Sequence, residues 1–222
     1  MKIVVYTAII GGYDTLNEPS YKPDGVDFIC FTDRDIESQV WDVRKVLPLY
    51  SDNTRTARKY KVLPHRFVSE YDYSIWIDGN FDVVGDFRQL IDDSLMKVYD
   101  HTSCYDSRNC VYEEANAIFR LGQEPGKKFK DNPFTIKSQM ERYISEGYPQ
   151  NNGLLSSGVL FRKHNDSDVI KTMENWWTEI KYGSKRDQLS FNYVSWKNKF
   201  EFKYIHKDVR HNEHFDMKKH NK

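Results

Sequence analysis

From Ile3 to Ile10 the chain runs Ile-Val-Val-Tyr-Thr-Ala-Ile-Ile without a charged side chain, and Gly11-Gly12 closes the run. A strand wetted on one face alternates apolar with polar residues. A strand that does not alternate needs cover on both faces, which is the situation inside a parallel sheet with helices packed on each side. A second, nearly continuous apolar run, Val26 to Phe31, ends at Thr32-Asp33, after a loop containing Pro19, Pro23 and Gly25. Trp41 to Leu47 alternates and reads as a third strand. Thr54 to Phe67 reads as a helix with Ala57, Tyr60, Leu63 and Phe67 on one face, kinked or ended by Pro64. Tyr73 to Ile77 is a further strand that stops at Asp78-Gly79-Asn80, and Asp86 to Met96 reads as the next helix.

Residues 97–132 mix weak strand and helix signals and end in the loop Gly126 to Lys130. A helix is expected over Phe134 to Glu146 and a strand over Leu154 to Phe161. Helices over Asp168 to Tyr182 and Arg186 to Trp196 and a short strand over Phe200 to Ile205 complete the pattern, before a polar tail from His206. No internal repeat or linker divides the chain, so one domain over residues 1–222 is expected. Strands alternating with helices define an α/β fold with a mainly parallel central sheet flanked by helices. In such sheets ligands sit beyond the carboxyl ends of the strands, so the polar residues there are the ones to weigh.

Composition narrows the partners. Thirty-three basic residues balance thirty-three acidic ones, so nothing draws the chain at long range to nucleic acid or to an anionic membrane. A bound anion must therefore be held by a local cluster of cations. Aromatics make up 15 % of the residues, enough for a well-filled core. The three cysteines lack metal-type spacing, which fits buried thiols in a reducing compartment. The amino terminus enters a strand pattern directly, without a signal-peptide pattern, and no apolar run approaches the roughly 20 residues a spanning helix needs. A cytoplasmic protein without a transmembrane segment is expected.

The sharpest chemical signal is Ile75-Trp76-Ile77-Asp78-Gly79-Asn80-Phe81-Asp82. A carboxylate leaving a buried strand, with a second oxygen-bearing side chain two residues on, presents donors suited to Mg²⁺ or Mn²⁺, which commonly share their shell with substrate phosphates. The plainer alternative is an Asp-Gly-Asn turn. Arg55, Arg58, Lys59 and Lys61 form a cationic patch on one helix, either a solvated face or a phosphate site. Gly11-Gly12 permits close backbone approach, Tyr13 is placed to stack on a base and Thr7 offers a hydroxyl. Asp33 either accepts from a ribose or base, or caps a following helix.

Tyr6-Thr7-Ala8-Ile9-Ile10-Gly11-Gly12-Tyr13-Asp14 together with Trp76-Ile77-Asp78-Gly79-Asn80 resembles GT-A glycosyltransferases, Rossmann-like nucleotide-binding proteins. It is closest to a family of short GT-A-like proteins long labelled a domain of unknown function. It is also similar to the amino-terminal glycosyltransferase domain of a large chlorella-virus protein, which would place the chain in the host cytoplasm. The likeness covers most of the chain and is strongest over residues 1–90.

The resemblance implies that Thr7, Ala8, Ile9, Gly12, Tyr13 and Asp33 cradle the nucleotide, and that Arg55, Arg58 and Lys61 face phosphate. Asp78, Gly79 and Asn80 stand where the family has Asp-x-Asp around a metal; Asn80 offers a carbonyl oxygen but no charge, and Asp82 is a possible substitute. Ser156-Ser157-Gly158 followed by Arg186-Asp187-Gln188 looks like the pair that lines the sugar in retaining enzymes of the glycogenin type. By that likeness Asp187 binds a sugar hydroxyl or serves as a catalytic carboxylate, with Gln188 beside it. His206 and His211 resemble the late loop that completes the metal or phosphate shell. The implied function is metal-assisted, retaining transfer of a hexosyl or deoxyhexosyl unit from a UDP-sugar to a glycan or glycoconjugate acceptor. A sugar-phosphate nucleotidyltransferase and a non-catalytic sugar-binding module are the competing expectations.

Overall fold

The computed structural model describes residues 1–220. Its strands are β1 (Ile3–Ile9), β2 (Val26–Thr32), β3 (Asp42–Lys45), β4 (Tyr73–Ile77), β5 (Phe81–Val83), β6 (Met96–Asp100), β7 (Leu155–Arg162), β8 (Lys203–Ile205) and β9 (Phe215–Met217). Its helices are α1 (Asn53–Val62), α2 (His101–Cys104), α3 (Val111–Gln123), α4 (Pro133–Ser145), α5 (Ser167–Tyr182) and α6 (Phe191–Asn198). Seven strands form one sheet in the order β3-β2-β1-β4-β7-β6-β8, and β5 and β9 form a separate antiparallel pair.

The unalternating strands occupy the middle of the sheet, as their composition requires. β1 pairs in parallel with β2 on one side and β4 on the other, while β7 runs antiparallel to both β4 and β6. Successive side chains of β1 divide between two cores. Val4, Tyr6 and Ala8 join Trp76, Leu160 and Trp176 on one face; Ile3, Val5 and Ile9 join Phe28, Ile75 and Phe161 on the other. The result is a mixed α/β sheet flanked by helices, of the GT-A-like Rossmann type.

Two expected helices are not formed as read. The Asp86 to Met96 segment holds only a 3-10 turn, Arg88–Leu90. Asp86 and Asp92 accept hydrogen bonds from the backbone N–H groups of Arg88 and Ser94, local turns that compete with helix, and Phe87 is drawn into the core against Phe215. The Arg186 to Trp196 segment divides into a 3-10 turn, Asp187–Leu189, and α6. Helix α1 ends at Val62, before Pro64. Asp52 caps it, accepting from the N–H groups of Thr54 and Arg55. Among the described residues, no helix is long and apolar enough to cross a membrane.

Candidate active site

The carboxyl ends of β1 and β4, helix α1 and the turn after α5 converge on four charged side chains. Asp78 leaves β4 two residues after Trp76, on the same side of the strand, and the Trp76 indole Nε1 donates to Asp78 Oδ1 at 2.8 Å. Arg58 and Lys61 lie one turn apart on α1. Lys61 Nζ donates to Asp78 Oδ1 at 3.1 Å and sits 2.6 Å from Asp187 Oδ2. Arg58 lies 3.2 Å from Asp187 Oδ2 and 3.6 Å from Asp78 Oδ1. Two cations thus bridge two carboxylates that are 109 residues apart in sequence.

The electrostatics follow from that geometry. Burial tends to raise the Asp187 pKa, but the charges of Arg58 and Lys61 more than offset it and hold the carboxyl well below the usual range. Burial and the neighbouring Arg58 charge pull Lys61 below the ordinary lysine value, against the two carboxylates. Burial also works against Arg58, yet Asp187 and Asp78 keep it above its ordinary value. Asp187 Oδ1 further accepts from the backbone N–H of Gln188 at 3.0 Å, so both oxygens of this carboxylate are engaged. The two hydrogen bonds to the Asp78 side chain both go to Oδ1; Oδ2 receives none among the described residues.

The glycine loop after β1 is braced from outside. Gly11 and Gly12 have φ of +68° and +63°, and Asp33 accepts from the Gly11 N–H at 2.9 Å. No helix follows Asp33, so it does not act as a helix cap. A Cβ on Gly12 would fall 2.2 Å from the Arg34 guanidinium carbon, the mobile end of a long side chain, so it is the positive φ that favours glycine here. Beyond the loop, Tyr13 stands largely exposed, edge-on to His220 at 5.1 Å. Asp14 Oδ1 lies 2.8 Å from His220 Nδ1. Thr7, Ala8 and Ile9 have buried side chains; Ile9 lies directly under Gly79.

Strand β7 supplies the opposite wall. The Asp78 backbone N–H donates to the Gly158 carbonyl at 2.8 Å, and a Cβ on Gly158 would lie 2.8 Å from the Phe81 ring. Ser157 precedes it, buried. Gln188 Nε2 donates to the Leu155 carbonyl at 3.0 Å, and Asn192 Oδ1 accepts from the Leu155 N–H at 3.2 Å. The turn bearing Asp187 and Gln188 is therefore tied to the strand bearing Ser157 and Gly158.

Other expected residues lie differently. Arg55 donates to the carbonyls of Ile180 and Gly183 and so closes the carboxyl end of α5; the cationic row anticipated from helical spacing divides, with Arg58 and Lys61 alone on the carboxylates. Asn80 Nδ2 donates to the Lys218 carbonyl at 2.9 Å, and Asp82 accepts from the N–H and hydroxyl of Ser20. His206 Nδ1 lies 3.1 Å from Asp100 Oδ2 and His211 Nδ1 lies 2.5 Å from Asp216 Oδ1, both at exposed positions. His220 is the tail histidine brought to the glycine loop.

Sequence reasoning missed Trp76 as a support for Asp78, although period-two spacing could have flagged it. It also missed Tyr105, whose phenol is pushed up by burial, the Cys104 thiol and the Asp78 carboxylate. The Arg210 guanidinium stacks over the Tyr105 ring at 4.8 Å. Tyr105 and Arg210 come from regions with no legible motif.

Among the described residues, no group of three or more His, Cys, Asp and Glu side chains is arranged to hold a metal ion. Asp78 Oδ2 accepts no hydrogen bond among the described residues, and a hard cation held there would take the rest of its shell from phosphate oxygens and water.

A glycine-turned loop, a carboxylate at the tip of a central strand and a cationic helix packed against it, all on a GT-A-like sheet, define a glycosyltransferase-like α/β protein. The chain belongs to the family described as TOD1/MUCI70, glycosyltransferase-like domain, which matches residues 31–220. It is 28 % identical over 225 residues to the probable hexosyltransferase MUCI70 of Arabidopsis thaliana, an alignment covering 86 % of this chain. The chain spans 37 % of the length of that curated relative.

Proposed function

We propose that the chain transfers a hexosyl or deoxyhexosyl unit from a nucleoside-diphosphate sugar, UDP-linked, to a hydroxyl of a glycan or glycoconjugate, with Mn²⁺ or Mg²⁺ at Asp78 and Asn80. The observation that carries the reading is the Asp78, Asp187, Arg58 and Lys61 cluster at the strand ends. Its formal charges cancel. A donor diphosphate brings about two negative charges against this largely buried cluster, and a divalent cation entering with it restores neutrality, which low-dielectric surroundings favour. When bound, the cation would neutralise charge on the departing diphosphate.

The chain's own residues supply the rest by position and charge. Arg58, less deeply engaged than Lys61 and partly open to solvent, turns a guanidinium toward the diphosphate. Lys61 keeps Asp78 and Asp187 ionised and aligned. Asp187, with both oxygens engaged, orients a sugar hydroxyl and does not attack carbon. Gln188, Ser157 and Gly158 form the wall against which the sugar lies, and the glycine loop with Tyr13 and Asp33 receives the nucleoside. The bond from the anomeric carbon to the β-phosphate oxygen breaks with its electrons going to the diphosphate, through an oxocarbenium-like sugar. The acceptor oxygen bonds to the same face, its proton passes to a departing phosphate oxygen, and configuration is retained.

Incubating the protein with UDP-sugars and Mn²⁺ and measuring UDP release tests this. Wild type releases UDP, EDTA suppresses release, and Asp78→Ala lowers turnover by about two orders of magnitude or more, the cost of removing one electrostatic anchor. Unchanged donor affinity and turnover in Asp78→Ala defeats the proposal. Pyrophosphate-dependent turnover would point to a nucleotidyltransferase, and binding without turnover to a sugar-binding module.

A further inference from the structure

Behind the charge cluster lies a guanidinium with no acidic partner. Arg162, near the carboxyl end of β7, is fully buried, and among the described residues it forms no ion pair. One arm donates to the Tyr6 hydroxyl, another lies 3.5 Å from the Met173 sulfur, and Nε has no partner. Keeping an uncompensated cation in an apolar core is costly. An apolar side chain of similar length would fill the same space.

The direction of the hydrogen bonds indicates what the cation does. Arginine only donates, so the Tyr6 oxygen must accept from it, and the Tyr6 proton must point elsewhere. It points to the backbone carbonyl of Lys61, 2.8 Å away. The Tyr6 ring also packs edge-on to Trp76 at 5.2 Å, the Lys61 ammonium lies 5.6 Å above the Trp76 ring, and Trp76 holds Asp78. Tyr6 thus touches the supports of both Lys61 and Asp78 from beneath.

We propose that Tyr6, locked as a one-way donor by Arg162, is a positioning residue that seats Lys61 and, through Trp76, Asp78. This inference rests on the transferase reading for its kinetic consequence but not for its structural one. Tyr6→Phe removes the donor at almost constant volume. It also leaves Arg162 unpartnered, so Tyr6→Phe/Arg162→Met, which removes the stranded charge as well, separates folding from positioning.

Two readouts decide the matter. The first is the Lys61 ε-carbon resonance in protein labelled with ¹³C-lysine, assigned by its loss in Lys61→Met. The second is UDP-sugar turnover together with UDP affinity measured by calorimetry. Tyr6→Phe is expected to move the Lys61 resonance and to lower kcat roughly 10- to 100-fold, the scale of a displacement of about 1 Å, with UDP affinity within about twofold. The double variant should recover thermal stability without recovering kcat or the resonance position. An unmoved Lys61 resonance in Tyr6→Phe overturns the inference, and so does full recovery of kcat in the double variant. A wild type that turns over no UDP-sugar defeats the transferase reading alone, and the resonance then decides the positioning role.

Discussion

Lys61 has no solvent-exposed side-chain surface, yet its ammonium stands between two carboxylates. At the scale of single residues, the site is a mutual neutralisation in which each member keeps the others tolerable in a buried place. Removing Asp187 breaks that balance: Asp187→Asn should destabilise the fold by about 3–5 kcal/mol, the usual cost of stranding a buried charge, read from urea denaturation. The pH dependence has a definite sign. The Asp187 carboxyl is held below its ordinary value in the fold, so the unfolded chain binds the proton more readily. Its contribution to stability is complete above the ordinary carboxylate pKa of about 4, and is lost as the pH falls through the lower folded value. Urea midpoints measured between pH 6 and pH 3 should therefore decline less in Asp187→Asn than in wild type.

At the scale of elements, α1 serves two purposes with one cationic face. Arg58 and Lys61 belong to the site; Arg55 closes the carboxyl end of α5 and holds Gly183, four residues before Asp187. Arg55→Ala is expected to cost about 1–3 kcal/mol of stability through the unsatisfied carbonyls while leaving the donor KM within about twofold. Arg58→Ala should raise donor KM or lower kcat at least tenfold; steady-state kinetics on the pair of variants separates the two roles. Helical spacing alone placed all of these side chains in one row, because i, i+3 and i+4 neighbours are equivalent on an isolated helix. Which of them faced α5 and which faced β4 depended on partners more than 100 residues away for Arg55 and 17–20 residues away for Asp78. The misread Asp86 to Met96 helix has a similar origin: its periodicity was adequate, but two aspartate turns and the burial of Phe87 took the backbone elsewhere.

At the scale of the whole molecule, the tail returns to the site. β9 pairs with β5 immediately after the Asp78 turn, the Lys218 N–H and carbonyl bond both ends of Asn80, and His220 reaches Asp14. A chain ending at Met217 loses the Lys218 and His220 contacts while keeping β9, the core residue Phe215 and every strand of the seven-stranded sheet. It should retain its far-ultraviolet circular dichroism but lose more than tenfold in UDP-sugar turnover. Retained turnover would show the tail to be dispensable.

What the sequence determined by itself was the frame. Unalternating β1 and β2 demanded cover on both faces, the break at Asp78-Gly79 marked the tip of a central strand, and Gly11-Gly12 marked a turn through positive φ. These signals are local, because burial on two faces and positive φ each leave a mark on consecutive residues. The closing of the site was decided only in three dimensions. Asp187 meets Lys61, Arg162 meets Tyr6, and His220, not a histidine nearer β8, meets the glycine loop. Contacts of that kind depend on how separate elements pack, and no spacing along the chain encodes which charged side chain will lie opposite another.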